Sequence, residues 1–456
     1  MSIEAVMVVA MFVTLVVLLF TGYPVAYVLS GVAMIFGVVA IIHPAYNLNF
    51  IKLSTAVENI HRLSISPNLL ALPMFIFMGV MLEQSGVAER MMVAMQKLFG
   101  RLRGGLALTV TLIGVLLAAS TGIIGASVVL LGMMSLPVML KQGYSKALAT
   151  GVVCSAGSLG ILIPPSIMLV IMADNLGVSV GDLFLGAVFP GLVLAAFYVT
   201  YIIVLGLIKP SMAPISDDYE PLRPAIFVEL FWSIVPPAVL IVLVLGSILR
   251  GYATPTEASG VGAMGATIIA LANRKLSSGV FQQIVMASLK TTAFITTILI
   301  GAKFFSQVLR QVGGDEVIAQ AFGGLNLDRY VMLAVLILIV FLLGFVLDWI
   351  EITLIVLPLF KPVVLALGFE INGFGLDNAV LVWFALLVAI ALQTSFLSPP
   401  VGFALFYLKG VCPPEVKLTD IYKGVIPFII LQLVTLLVVI KWPELVTWLP
   451  SVKYGH

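Results

Sequence analysis

Ser155-Ala-Gly-Ser-Leu-Gly-Ile-Leu-Ile-Pro-Pro-Ser166, in the first half of the chain, has a counterpart in the second half, Leu392-Gln-Thr-Ser-Phe-Leu-Ser-Pro-Pro-Val401. Each sets small polar residues just ahead of a Pro-Pro pair inside a long apolar stretch. Two adjacent prolines remove two amide donors, clash with the preceding turn and push the residue before them out of the helical region. Carbonyls upstream lose their partners, and in hydrocarbon each must be satisfied by other protein groups, a water-filled cavity or a bound cation. Hard cations favour such oxygens. A single Pro-Pro pair reads as a structural kink; the pair recurring with its hydroxyl neighbours reads as a binding site for a cation or substrate.

Working outward, other landmarks recur in the same order. Ser135-Leu-Pro137 answers Val356-Leu-Pro358 upstream, and Gly181-Asp-Leu-Phe-Leu-Gly186 answers Thr419-Asp-Ile-Tyr-Lys-Gly424 downstream. The second copy carries a polar insert, 368–378, so the repeat is one of architecture rather than of constant spacing.

The setting of both copies is a membrane. Of 456 residues, 61% are hydrophobic and 10% are charged, against roughly 25% charged in soluble domains. A single core stops growing near roughly 300 residues, so this apolar excess must face lipid. A net charge of +2 with no basic tract excludes a nucleic-acid partner. Cys154 and Cys412 lie far apart with no Cys or His at ligand spacing, which implies neither a disulfide framework nor a metal site. His43, His61 and His456 likewise lack the company of a catalytic or metal histidine, and no nucleotide-binding loop or protease motif is present.

Apolar runs predict membrane-spanning helices near 5–20, 24–42, 69–82, 183–208, 231–249, 256–272 and 424–441. The first, from Ala5 to Phe20, has no basic leader or small-residue cleavage site and is read as a span. The stretches 106–140, 147–176, 330–367 and 378–410 are punctuated by Gly, Ser, Thr and Pro, as hairpins and unwound helices are. Ten to thirteen crossings are expected. Lys209 to Glu229, with Asp217, Asp218, Glu220, Arg223 and four prolines, is a polar connection that divides the chain into halves, 1–208 and 231–456, joined by 209–230. The Lys and Arg of the shorter loops are too evenly spread along the chain to orient it.

Three further patches carry chemistry. In Gly344-Phe-Val-Leu-Asp-Trp-Ile-Glu351, Asp348 and Glu351 interrupt an apolar stretch at a spacing that shares a helix face. Asp348 at a hairpin tip would instead cap the next helix, and Glu351 is the weaker candidate. The corresponding first-half stretch, Ser120 to Ser127, has hydroxyls and glycines in place of acids. Thr254, Pro255 and Glu257 form a predicted capping box. Lys290 and Lys303 sit in apolar surroundings, where snorkelling to the headgroups competes with contact to an acidic substrate or another subunit.

At this point the chain resembles the large, DctM-like membrane subunits of tripartite ATP-independent periplasmic (TRAP) transporters. The resemblance covers nearly the whole chain and rests on Leu72-Pro-Met-Phe-Ile-Phe-Met-Gly79, Gly143-Tyr-Ser-Lys146, the Thr254 to Ala258 segment and Ser398-Pro-Pro-Val-Gly-Phe-Ala404. It implies an all-α membrane protein with two inverted repeats, broken helices and two reentrant hairpins, working by an elevator movement. It also implies a small four-helix membrane subunit, expected as a separate polypeptide because the chain begins at its own first span. A periplasmic binding protein would deliver a small organic acid, and sodium would be the coupling ion, with no other cofactor or metal and no enzymatic activity. The location implied is the bacterial inner membrane.

Carried over by motif, one cation site would use Ser127, Gly160, Ile163 and Pro165, and the other Gly344, Asp348, Ser395 and Ser398. Ser158, Thr394, Pro164 and Pro399 would meet the substrate between them. Ser395 stands where many relatives carry Gly. A self-sufficient sodium- or proton-coupled dicarboxylate symporter is the alternative, and a channel or scaffold protein is a different class that the paired breaks argue against.

Overall fold

The computed structural model of the protein describes residues 2–43, 46, 50–121, 124–215, 224–325, 327–373 and 375–452. Helices account for all its regular structure among these residues, as lipid demands of a chain that must satisfy its backbone internally. Their starts follow local chemistry. Thr254 and Glu257 form the predicted capping box ahead of Pro255–Ala272, with the Thr254 amide donating to Glu257 Oε2 at 2.8 Å and the Glu257 amide to Thr254 Oγ1 at 3.3 Å. Asp328 caps Arg329–Leu343 through the Tyr330 amide at 2.9 Å.

Among the described residues, eight helices are long and apolar enough to cross a membrane, nine if the bent pair Leu69–Gln84 and Val87–Phe99 is one span. Ile3–Leu19, Gly105–Leu117, Lys146–Ile161, Ile167–Leu176 and Arg329–Leu343 are apolar but too short. A count of ten to thirteen therefore depends on joining short helices across breaks. The polar connection is also shorter than expected, because the helix Pro224–Leu249 begins within it. Asp217, Asp218, Glu220 and Arg223 lie outside the described residues.

The breaks organise the interior. Gly105–Thr121 and Ile124–Lys141 form the first hairpin, packed against the first broken helix, Lys146–Ser158 continuing as Ile167–Leu176. Arg329–Leu343 and the helical run from Trp349 to Ala366 form the second hairpin, packed against Ala379–Leu397, which continues as Phe403–Val411. The far halves are exchanged. Phe403–Val411 lies on the first hairpin, and Ile167–Leu176 lies on the second, so each repeat completes the other.

Burial locates the core. Of the Ala379–Leu397 span 94% is buried, against 22% of Ile226–Leu249, so the former is a central helix and the latter a peripheral, lipid-facing one. Close glycine contacts hold the core helices together. A Cβ on Gly157 would stand 2.5 Å from Val128 Cγ2, and one on Gly114 2.5 Å from Ala156 Cβ. Small residues at such contacts let helices approach in lipid, where no hydrophobic force drives them together.

Candidate functional site

At the first break the helix ends at Ser158, tightens into a 3-10 turn over Leu159–Ile161, and restarts after Ser166. The freed groups are met locally. Ser158 Oγ donates to the Ser155 carbonyl at 2.9 Å, and Ser166 Oγ to the Ile161 carbonyl at 2.8 Å. Gly160 lies in the 3-10 turn and Pro164 and Pro165 are buried; Ile163 packs where a Cβ on Gly191 would come within 2.9 Å of it. Ser127 is buried in the first turn of Ile124–Lys141, beside the Val128 that meets Gly157. Of the segment Ser120 to Ser127, residues 122 and 123 and the side chains of 120 and 121 lie outside the described residues.

At the second break Ala379–Leu397 ends on Ser398, whose Oγ donates to the Thr394 carbonyl at 2.8 Å. Thr394 Oγ1 donates to the Ile390 carbonyl at 2.8 Å. The Pro400 carbonyl accepts from Tyr422 Oη at 3.1 Å. Ser395 Oγ reaches the second hairpin, donating to the Phe341 carbonyl at 2.9 Å, and a Cβ on Gly344 would stand 2.5 Å from Ser395 Oγ. Both Pro-Pro bonds, Pro164-Pro165 and Pro399-Pro400, are cis.

The hairpin-tip acids divide as the sequence allowed. Asp348 caps the helix that begins at Trp349, accepting from its amide at 2.8 Å. Glu351 is the more buried, 2% exposed, and its Oε2 has no hydrogen-bond partner among the described residues; neither has Thr353 Oγ1 beside it. Lys290 is exposed, whereas Lys303 lines a polar cavity.

The structure thus brings Ser158 to the second repeat and Gly344 to Ser395, while Ser127, Gly160, Ile163 and Pro165 group around the first break and Ser398 and Pro399 around the second. What joins the two breaks is a residue that the motif reading passed over. Gln393, fully buried, donates from Nε2 to Ser158 Oγ at 3.3 Å, and its Oε1 has no partner among the described residues. An unpaired buried oxygen costs about 1–3 kcal/mol, which makes this one, beside the first break, a candidate ligand contact. A glutamine inside an apolar helix was the available signal, since polar groups at membrane depth face cavities and partners.

The family described as "Tripartite ATP-independent periplasmic transporter, DctM component" matches residues 12–445. The C4-dicarboxylate TRAP transporter large permease protein DctM of Vibrio cholerae is 31% identical over 409 residues, covering 85% of this chain and 86% of the relative. The isethionate TRAP transporter permease protein DctMQ of Oleidesulfovibrio alaskensis is 29% identical over 379 residues, covering 83% of this chain and 57% of that longer one. Among solved structures, the Alcanivorax borkumensis YdaH transporter shares the fold, with a TM-score of 0.59 at 14% identity over 86% of this chain and 87% of that one. Two helix-breaking repeats joined at their breaks, in a chain matched almost end to end by one transporter family, lead to a single assignment: the protein belongs to the DctM component family of tripartite ATP-independent periplasmic transporters.

Proposed function

We propose that this large permease subunit imports small organic acids across the bacterial inner membrane, driven by an inward sodium gradient. The site is the region between the two breaks. Its walls are Ser158 and Pro164 from the first and Gln393, Thr394 and Pro399 from the second. Sodium ions are held beside it, one by Ser127, Gly160, Ile163 and Pro165 and the other by Gly344, Asp348, Ser395 and Ser398. Each half of the chain, 1–208 and 231–456, contributes one hairpin and one broken helix to a body that moves as an elevator against the outer helices. A small four-helix membrane subunit and a periplasmic binding protein complete the assembly, and the chain itself catalyses no covalent step.

The observation that carries this reading is the Gln393–Ser158 contact, which puts an unpaired amide oxygen between the two unwound segments. The names of the relatives support the substrate class: one carries C4-dicarboxylates and the other the sulfonate isethionate. Helix ends and hydroxyls at such breaks suit an anionic headgroup.

The test is uptake of labelled organic acids into proteoliposomes containing the chain and its small subunit, with and without binding protein and sodium gradient. Uptake that requires both, and that falls in Ser398→Ala and Asp348→Asn, is expected. Uptake by this chain alone, indifferent to the binding protein, makes it a self-sufficient symporter and overturns the reading.

A further inference from the structure

The first break is closed in and the second only partly exposed, and the main polar space that opens on the surface lies elsewhere. A cavity of about 650 Å³ is walled by Arg62, Ser66, Asp174, Asn175, Lys303 and Arg310, among others. A second, of about 360 Å³, shares Asn175, Arg310 and Pro358 with it and adds Asp315 and Lys361, so the two adjoin and are taken together as a chamber. In a chain with 10% charged residues, this concentration of charge calls for a physical reason.

The charges are close without being paired off. Lys303 Nζ donates to the neutral Asn175 Oδ1 at 3.3 Å and stands 4.0 Å from Asp174. Asp174 itself accepts from Ser66 Oγ at 3.3 Å. Arg310 Nε is 3.9 Å from Asp315, and Lys361 Nζ donates to the Leu176 carbonyl at 2.6 Å. Arg62 alone has a short ion pair, 2.8 Å to Glu58 on its own helix. With Glu58 included, four cations face three carboxylates, and two of the contacts lie at the outer limit of an ion pair. A carboxylate entering between Lys303 and Arg310 would make charge-assisted bonds, stronger than those to neutral groups, that neither cation now has in full.

The loops place the chamber in the membrane. The Gly104 amide donates to the Ala213 carbonyl at 3.2 Å and the Ser145 amide to the Met212 carbonyl at 3.1 Å, which gathers three loops on one side. Lys97, Arg101, Arg103, Lys141, Lys146 and Lys209 flank them, more than the four cations of the chamber at the other end, and by the positive-inside rule we assign that side to the cytoplasm. The first broken helix starts there at Lys146 and ends at the opposite side with Asp174 and Asn175. The chamber therefore opens away from the cytoplasm.

We propose that this chamber is an anion-receiving vestibule on the extracytoplasmic face, where a carboxylate of the incoming acid takes the place of Asp174 beside Lys303 and is shared with Arg310. It rests on the organic-acid reading given above. Its walls come from different helices: Ser278–Gln311 supplies Lys303 and Arg310, and the broken helix supplies Asp174 and Asn175. The acid is thus held at the seam before it reaches the breaks.

The test uses the full chain with its small subunit in proteoliposomes, carrying Ser306→Cys as a reporter on the chamber wall in a Cys154→Ala, Cys412→Ala background. Reaction with an anionic and a cationic methanethiosulfonate of similar size is timed, with a C4-dicarboxylate or the matching neutral diol present. The anionic reagent is expected to react about tenfold faster, and the dicarboxylate but not the diol to slow it. Lys303→Gln with Arg310→Gln removes both effects, while Lys303→Arg keeps them and controls for misfolding. Equal rates for the two reagents, or no protection by the dicarboxylate, overturn the vestibule. Dicarboxylate uptake without protection sinks the vestibule alone and leaves organic-acid import standing. Protection without uptake supports the vestibule and counts against import.

Discussion

The two breaks share a motif but not a setting. Around the first, residues 159–162 and 164–166 are buried, enclosed by the first hairpin, the central helix and Gly191 of the helix Val180–Ile208. At the second, Ser398 is buried, but Pro400 is exposed and Val401 is 38% exposed, with Tyr422 alone bonding the Pro400 carbonyl. The motif specifies the unwinding, and the helices around it decide whether the unwound segment is sealed. The sealed break is the one whose hydroxyl accepts from Gln393.

The largest test of this contrast is chemical. In a background without native cysteines, Val401→Cys should react with an impermeant maleimide roughly a hundredfold faster than Leu162→Cys, as expected if labelling the buried site requires an opening of about 3 kcal/mol. Equal labelling rates would erase the difference between the breaks.

Replacing the residue that joins the breaks should separate function from stability. Gln393→Leu leaves no buried polar group unpaired on that side chain, so thermal stability in detergent should hold, while uptake efficiency falls about tenfold for a lost ligand hydrogen bond of roughly 1.4 kcal/mol. A matching loss of stability would make Gln393 a packing residue.

A finer distinction comes from the glycines. Gly157→Ala drives a methyl toward the Val128 backbone as well as its side chain, whereas Gly344→Ala meets the Ser395 side chain, whose Oγ can turn aside and whose Cβ, 2.8 Å away, must shift slightly. Overpacking costs about 1–3 kcal/mol, and the first substitution should lie at the upper end and the second at the lower, measured as loss of thermal stability. The reverse order would place the rigid contact at the open break. Tyr422→Phe should have the smallest effect, about 0.5 kcal/mol for one exposed hydrogen bond; a loss of several times that would show that Tyr422 holds the open break in shape.

Much of this was legible in the chain itself. Composition demanded lipid and therefore helices, and the recurring Pro-Pro motifs located both breaks because proline acts on its own backbone. The rule is local, however, and its outcome is not: Pro236 and Pro237 lie inside Pro224–Leu249 without interrupting it, so what accompanies the pair matters as much as the pair. Glu351 read as the weaker of the two acids in sequence, yet it is the more buried, because Asp348 caps a helix and Glu351 turns inward. Gln393 was visible but unremarked, since its meaning lies in a contact with Ser158, 235 positions away. Orientation and the charged chamber were illegible for the same reason, as both depend on which distant loops and helix ends share a side of the membrane.

One contact sets the mechanics of the whole core. A Cβ on Gly151 would collide with the Gly424 carbonyl, and one on Gly424 with the Ala147 carbonyl, so Lys146–Ser158 and Leu418–Lys441 touch backbone to backbone. The second of these helices also carries Tyr422, which grips the far break. Like gears cut without backlash, the two repeats leave no lost motion between them at this point. A side chain can rotate to make room and a backbone cannot, so at this point the fit of the two repeats tolerates no larger residue.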